Sequence, residues 1–277
     1  MTFVIILISL VIERFFHWSH LRHWRWFGHY QRWLLNTRIG NWSPYVLLAT
    51  TILPLVLVVG LISALLDDWL CGLGRLIFGV AVLMYCLGPN NLWVQVYSCI
   101  NELQKDDTKP AIDQVQAAFG IAIPEHSQAF HQAFVRAIFV AAYERVFSVV
   151  FWFVILGPLG AVLYRSIALC RAESPLGLMS VAGKLQQLLD WIPVRIFTFI
   201  FALGGHFTQV FAYWKKQVVK GVSANETLLT ECGVLSLDVL DGSHIPEDGS
   251  GEREAVALLD RAFVMWLVIL AVVVLLM

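Results

Sequence analysis

The sequence predicts an all-α polytopic membrane helix bundle, with amphipathic cytoplasmic or interfacial helices and with broken helices. Three observations carry that prediction. The chain is 58% hydrophobic and only 14% charged, against about a quarter charged in a typical soluble domain. Its apolar residues are gathered into blocks close to the ~20 residues that cross a bilayer as a helix. Two phrases in or beside those blocks, Gly157-Pro158-Leu159-Gly160-Ala161-Val162-Leu163-Tyr164-Arg165 and Leu189-Asp190-Trp191-Ile192-Pro193-Val194-Arg195, add arginine, aromatic rings and helix breakers. Charge at membrane depth is costly and serves more than anchoring. The formal net charge of −1 provides no basic field, so nucleic acid is excluded as a partner.

Each segment has its own reason, within a single integral membrane domain over 1–277. Residues 1–12 form a short apolar first segment, followed by Glu13-Arg14 and not by a small-residue cleavage site, so a retained half-helix or a short first span is expected. Residues 13–43 interleave arginine with tryptophan (Arg22, Arg25, Arg32 with Trp24, Trp26, Trp33), the pattern of a helix in the headgroup layer. Residues 44–88 read as a transmembrane hairpin closed by Asp67-Asp68-Trp69. The positive-inside rule places the arginine segment in the cytoplasm and Asp67-Asp68 opposite. Residues 89–145 become polar and amphipathic, with Phe130, Phe134, Ile138 and Phe139 as one packing face. Residues 146–207 hold two broken apolar segments, interrupted at Gly157-Pro158 and at Pro193. Residues 208–262 read as a polar acidic loop, with Asp248-Gly249-Ser250-Gly251-Glu252 a flexible linker. Residues 263–277 are uninterrupted aliphatic and form a closing span.

The candidate site is built on the two arginines. A guanidinium stays protonated and binds phosphate or carboxylate through two parallel hydrogen bonds. Arg165, Arg195 and Tyr164 are expected to line a pocket for an anion, with Glu13, Arg14, Glu144 and Asp190 as the charges beside it. Backbone N–H groups freed at Gly157-Pro158 would favour the same ligand. The competing structural reading has Asp190 paired with Arg195 across one helical turn and Arg165 reaching to lipid phosphate. Five scattered cysteines without a Cys-x-x-Cys support no zinc or iron–sulfur framework. His20 and His23 lack a third ligand nearby. No metal, no cofactor and no catalytic residue is assigned.

The ordered phrases resemble a known family. Glu13-Arg14 after a short apolar run, Trp152 before Gly157–Arg165, then Leu189–Arg195 and Phe201-Ala202-Leu203-Gly204 are similar to the AmpE family, inner-membrane proteins tied to β-lactamase induction and so to antibiotic resistance. The chain is more distantly similar to the membrane-bound adenosylcobinamide-phosphate synthases of cobalamin assembly. The synthases carry Asp-Pro and His-Pro-Val-Arg motifs after the first span, where this chain reads Glu13-Arg14-Phe15-Phe16-His17-Trp18. Their Gly-Arg-Asp-Thr stands against Gly120-Ile121-Ala122-Ile123, and their Glu-Asn against Glu144-Arg145. The resemblance therefore implies a retained scaffold without the phosphate-activating chemistry.

It implies a multi-pass signalling modulator of the bacterial inner membrane, linked to cell-wall recycling. Its expected partners are the lipid bilayer, an anionic lipid or wall-derived ligand, and a partner protein. The alternative is a membrane-embedded, nucleotide- and magnesium-dependent ligase or transferase. A transporter is a third reading, but it requires repeated halves around two broken helices, and no such repeat is visible.

Overall fold

A computed structural model describes residues 2–15, 24–37, 42–66, 72–87, 92–103, 108–120, 127–238, 245–246 and 248–276. Every regular element among them is helical, so the all-α polytopic bundle read from the sequence is the fold found. Among the described residues, four helical stretches are long and apolar enough to cross a membrane: Pro44–Leu66, Ala129–Leu156, Gly177–Gly204 and Ser250–Val273. Two shorter apolar stretches, Thr2–Ile12 and Leu73–Cys86, accompany them. Leu61 and Leu65 on the first span are 64% and 70% exposed. A ridge of bare leucine of this kind is stable against lipid and not against water, and the protein is a membrane protein.

The chain divides into two compact units, one of Met1–Pro89 with Glu144–Asp190, the other of Asn90–Tyr143 with Trp191–Met277. The first unit contains α1 (Thr2–Phe15), α2 (Arg25–Leu35), α3 (Pro44–Leu66), α4 (Leu73–Cys86), α8 (Ser148–Leu156), α9 (Pro158–Glu173) and the opening half of α10 (Leu176–Gly204). Helices α3, α4 and α8 pack on α9, and α1 packs on α4. The core holds Ile6, Leu83, Val149, Phe153, Tyr164 and Ile167. Helix α2 buries Phe27 and Leu34 while Trp26 and Trp33 stay exposed, the two-faced arrangement expected of a headgroup-layer helix.

The break at Gly157 forms as its residues require. Gly157 takes φ 65°, ψ −150°, a conformation open to glycine and not to residues with a Cβ, and Pro158 opens α9 where a missing N–H costs nothing. The two helices then close tightly. A methyl on Gly160 would run into the carbonyl oxygen of Trp152 and lie 2.8 Å from Cβ of Leu156.

The second unit holds α5 (Leu92–Leu103), α6 (Thr108–Phe119), α7 (Ser127–Ala142), the closing half of α10, α11 (Phe207–Gln217), α12 (Asn225–Leu235) and α13 (Ser250–Leu276). Helix α7 is its centre, packed by α12 and α13. Phe130, Phe134, Ile138 and Phe139 are all buried, and Phe139 meets Phe201 at 5.3 Å between ring centroids. The aromatic stripe is core, as expected.

Four segment expectations are corrected. Helix α10 runs unbroken through Pro193; a proline removes one N–H and is tolerated where apolar surroundings leave the backbone no alternative to helix. The 208–262 stretch is not a loop: it folds into α11, α12 and the start of α13, because Leu228, Leu229, Leu258 and Leu259 bury themselves in the core. The linker at 248–252 is instead a helix start. Asp248 accepts from the Ser250 amide at 2.9 Å and from its hydroxyl, an Asx turn that leads into the helix, and the Ser250 hydroxyl bond holds its carboxyl below the usual range. The amphipathic region 89–145 ends in part of a long apolar helix, since Ala129–Leu156 is continuous through a π-helical turn at Tyr143–Phe147. Asp67-Asp68, His17, His20, His23, and the side chains of Glu13 and Arg14 lie outside the described residues.

Two outcomes follow from this packing. Gly160→Ala must push α8 from α9 and lowers stability by about 1–3 kcal/mol, measured by thermal unfolding in detergent. Burial raises the thiols of Cys99 and Cys232 to about 11 and about 12. At pH 8 both are therefore thiols and resist maleimide in the folded protein, reacting only after denaturation, as mass spectrometry of tryptic peptides reads out.

Candidate functional site

The polar groups of the first unit converge because of helical spacing. Gln186 and Asp190 lie four apart on α10, and Glu144 and Ser148 lie four apart across the π-helical turn, so each pair shares a face. Tyr164 from α9 meets both sets. Its hydroxyl donates to Asp190 Oδ1 at 2.9 Å and accepts from the Gln186 amide at 3.4 Å. Ser148 donates to the same carboxylate oxygen at 3.4 Å. Tyr164 and Ser148 are fully buried, and Asp190 is 7% exposed. Oε1 of Gln186 is buried without a hydrogen-bond partner, a cost that native interiors seldom leave standing.

Around this cluster stand three arginines. Arg171 pairs with Glu144 at 2.7 Å, partly exposed. Arg165, one residue on from Tyr164, is half-buried and lies within electrostatic reach of Arg145 and of the Cys86 thiol. Like charges brought together in partly buried surroundings repel, and an anion between them relieves that repulsion. Among the described residues of this cluster, Arg145, Arg165 and Arg171 outnumber Glu144 and Asp190. The N–H groups at the start of α9 are not part of it: the amides of Gly160 and Ala161 turn back onto the Gly157 carbonyl, and Arg165 lies about 10 Å further along the helix.

Arg195 belongs to the second unit and has a different use. Nε donates to the Val218 carbonyl at 2.6 Å, Nη2 to the Lys220 carbonyl at 2.6 Å, and Nη1 to the Trp191 carbonyl at 2.6 Å and to Asn225 Oδ1 at 3.0 Å. The guanidinium also sits 4.2 Å from the Trp191 ring centroid. It caps the C-terminal end of α11, where carbonyls lack intrahelical donors and a positive charge meets the negative end of the helix dipole. The Asp190–Arg195 pair does not form. Five residues turn an α-helix by about 140°, so each reaches its own partners.

The structure places Tyr164, Arg165, Asp190 and Glu144 in the first unit and Arg195 in the second, whereas the sequence reading grouped Arg165, Arg195 and Tyr164 around one pocket. It missed Ser148, Arg145, Arg171 and Gln186. The i,i+4 spacing of Gln186 with Asp190, and of Glu144 with Ser148, was the available signal. The second unit holds one more buried polar pair, His131 Nδ1 with Glu252 Oε1 at 2.6 Å, joining α7 to α13. Among the described residues no group of three or more histidine, cysteine or carboxylate side chains is placed to hold a metal.

Comparison with known proteins now decides the family. The profile of the regulatory signalling modulator protein AmpE matches residues 1–277. The chain belongs to the AmpE family. A cobalamin biosynthesis protein, CobD of Chromobacterium violaceum, is 25% identical over 172 residues. That match takes in 60% of this chain and 55% of the relative, so the chain spans little more than half of that protein's length. No solved structure matches. Membership in AmpE and a weaker likeness to a cobalamin protein are the two relationships that the ordered phrases implied.

The geometry predicts unequal costs of substitution. Arg195→Ala leaves the Val218 and Lys220 carbonyls and Asn225 without this donor and destabilises by about 3 kcal/mol, and Arg195→Lys, with a single ammonium, restores less than half of that. Tyr164→Phe removes the short bond to Asp190 and costs about 1–2 kcal/mol. Thermal unfolding of the purified variants in one detergent ranks them.

Proposed function

We propose that this AmpE protein is a multi-pass regulatory protein of the bacterial inner membrane, acting in β-lactamase induction and cell-wall recycling, and that the polar cluster of its first unit receives an anionic ligand. The observation that carries the reading is the buried Tyr164–Asp190 bond, in the same unit as Arg145 and Arg165, which act on each other electrostatically. Guanidinium groups bind phosphate or carboxylate, and the Arg171–Glu144 pair of the same unit is partly exposed. The family's description as a regulatory signalling modulator supports a binding role: ligand occupancy shifts the packing of α8, α9 and α10, and a partner protein reads that shift. The ligand is a phosphorylated lipid or a wall-derived metabolite, both of which supply the anion.

The test uses the full chain in nanodiscs. A phosphorylated polyprenyl lipid and a peptidoglycan fragment are offered in turn, and retention is measured by native mass spectrometry. One of them is retained by the unaltered protein, and Arg165→Gln lowers its retention about tenfold, the worth of one charged hydrogen bond, at unchanged folding yield. In cells the same variant alters inducible β-lactamase as deletion of the gene does. Retention of neither probe, with Arg165→Gln affecting yield alone, would make the cluster structural. The likeness to CobD favours a ligase as the second reading, and magnesium-dependent nucleotide hydrolysis by the purified protein would establish it instead.

A further inference from the structure

Helix α11 (Phe207–Gln217) follows α10 after only two residues, and α10 is one of the four helices able to cross a membrane. A chain that has just left the apolar layer therefore enters α11 at its boundary. Along α11 the rings of Phe207, Phe211 and Trp214 recur at four- and three-residue intervals. Phe207 stacks on Phe211 at 5.3 Å with planes 8° apart, and Phe211 on Trp214 at 6.0 Å with planes 15° apart. Phe199 of α10 holds this ladder from beneath, 6.3 Å from Phe211 and 5.5 Å from Trp214. The ladder is fixed in orientation, yet Phe207 remains 46% exposed.

The ladder ends in a cationic cluster. Lys215, Lys216 and Lys220 are exposed, and Val219 between them is 86% exposed. No acidic residue occurs from Phe207 to Asn225; the first is Glu226, at the start of α12. The cluster is also held in place, because Arg195 binds the carbonyls of Val218 and Lys220 at 2.6 Å each. Aromatic rings at the boundary, an aliphatic side chain standing free and lysines on the water side form the pattern of an interfacial helix on an anionic leaflet.

We propose that Phe207–Lys220 is a lipid-recognition surface that selects anionic phospholipid, its lysines taking the headgroup phosphates while the ring ladder lies among the upper acyl chains. This surface lies wholly in the second unit and stands independently of the ligand reading of the first. Charge complementarity, together with direct continuity from a membrane span, commits the face to a lipid occupant. Because Arg195 fixes the lysine-bearing end to α10, binding there also steadies the exit of α10 from the bilayer.

The experiment is native mass spectrometry of the full chain released from mixed phosphatidylglycerol and phosphatidylcholine at equal amounts. The unaltered protein retains phosphatidylglycerol in preference. The triple variant K215Q/K216Q/K220Q lowers that preference about a hundredfold, each lysine beside an anionic surface being worth roughly fivefold, while K184Q on α10 leaves it unchanged. Inorganic phosphate at millimolar concentration does not displace the lipid. Thermal unfolding within a degree or two of the unaltered protein shows that the triple variant is folded, and a double variant K215Q/K216Q serves if it is not. An unchanged preference in the folded lysine variants, no preference in the unaltered protein, or displacement by inorganic phosphate would each overturn the proposal.

Discussion

A charge carried into an apolar helix must find its counterpart within reach of its own side chain, and α10 carries two such charges five residues apart. Asp190 and Arg195 are turned by about 140° about the helix axis, too far to neutralise one another. Asp190 accepts from Tyr164 and Ser148; Arg195 donates to three carbonyls and Asn225. Much of the local architecture follows from those two solutions. The first requires that α9 bring a tyrosine to membrane depth, which the sharp turn at Gly157-Pro158 and the close α8–α9 packing at Gly160 make possible. The second requires that the chain after α11 return to α10 with its backbone oxygens inward. A bare carboxylate or guanidinium there would cost several kcal/mol.

The same logic separates two kinds of arginine. Arg195 has donors spent on backbone oxygens, in the manner of a helix cap, and its chemistry is complete within the fold. Arg145 feels the charge of Arg165 and, with the opposite sign, that of Glu144. An arginine in a membrane helix is therefore not by itself a ligand site. Arg195 shows why: its planar fork is spent on carbonyl groups of the same chain.

Much of this was legible in the residues. Blocks of aliphatic side chains announced the spans, the Gly157-Pro158 pair announced the break, and the stripe from Phe130 to Phe139 announced a core face. Local chemistry decided each of these, and local chemistry is what a sequence displays. The misreadings have a common cause in tertiary burial. Pro193 reads as a breaker, but surroundings without water leave its neighbours no other way to satisfy their backbone. The acidic tract after residue 208 reads as a solvated loop, yet Leu228, Leu229, Leu258 and Leu259 are buried and turn it into helices. Of the candidate site, the conspicuous charges at Tyr164-Arg165 and Asp190 could be seen. The uncharged partners Ser148 and Gln186 left only the weaker signal of i,i+4 spacing from Glu144 and Asp190, and their role emerges when α8, α9 and α10 meet. The single-turn pairing of Asp190 with Arg195 failed on geometry alone, since spacings of three or four residues share a face and five does not.

The account rests on the separateness of the two charges on α10, and a double-mutant cycle measures it directly. Asp190→Asn, Arg195→Gln and the combination are compared by equilibrium unfolding in a single detergent. Independent partners predict that the two destabilisations add to within about 0.5 kcal/mol. A coupling energy of about 1 kcal/mol or more would mean that the carboxylate and the guanidinium answer to each other, contradicting the arrangement described for both.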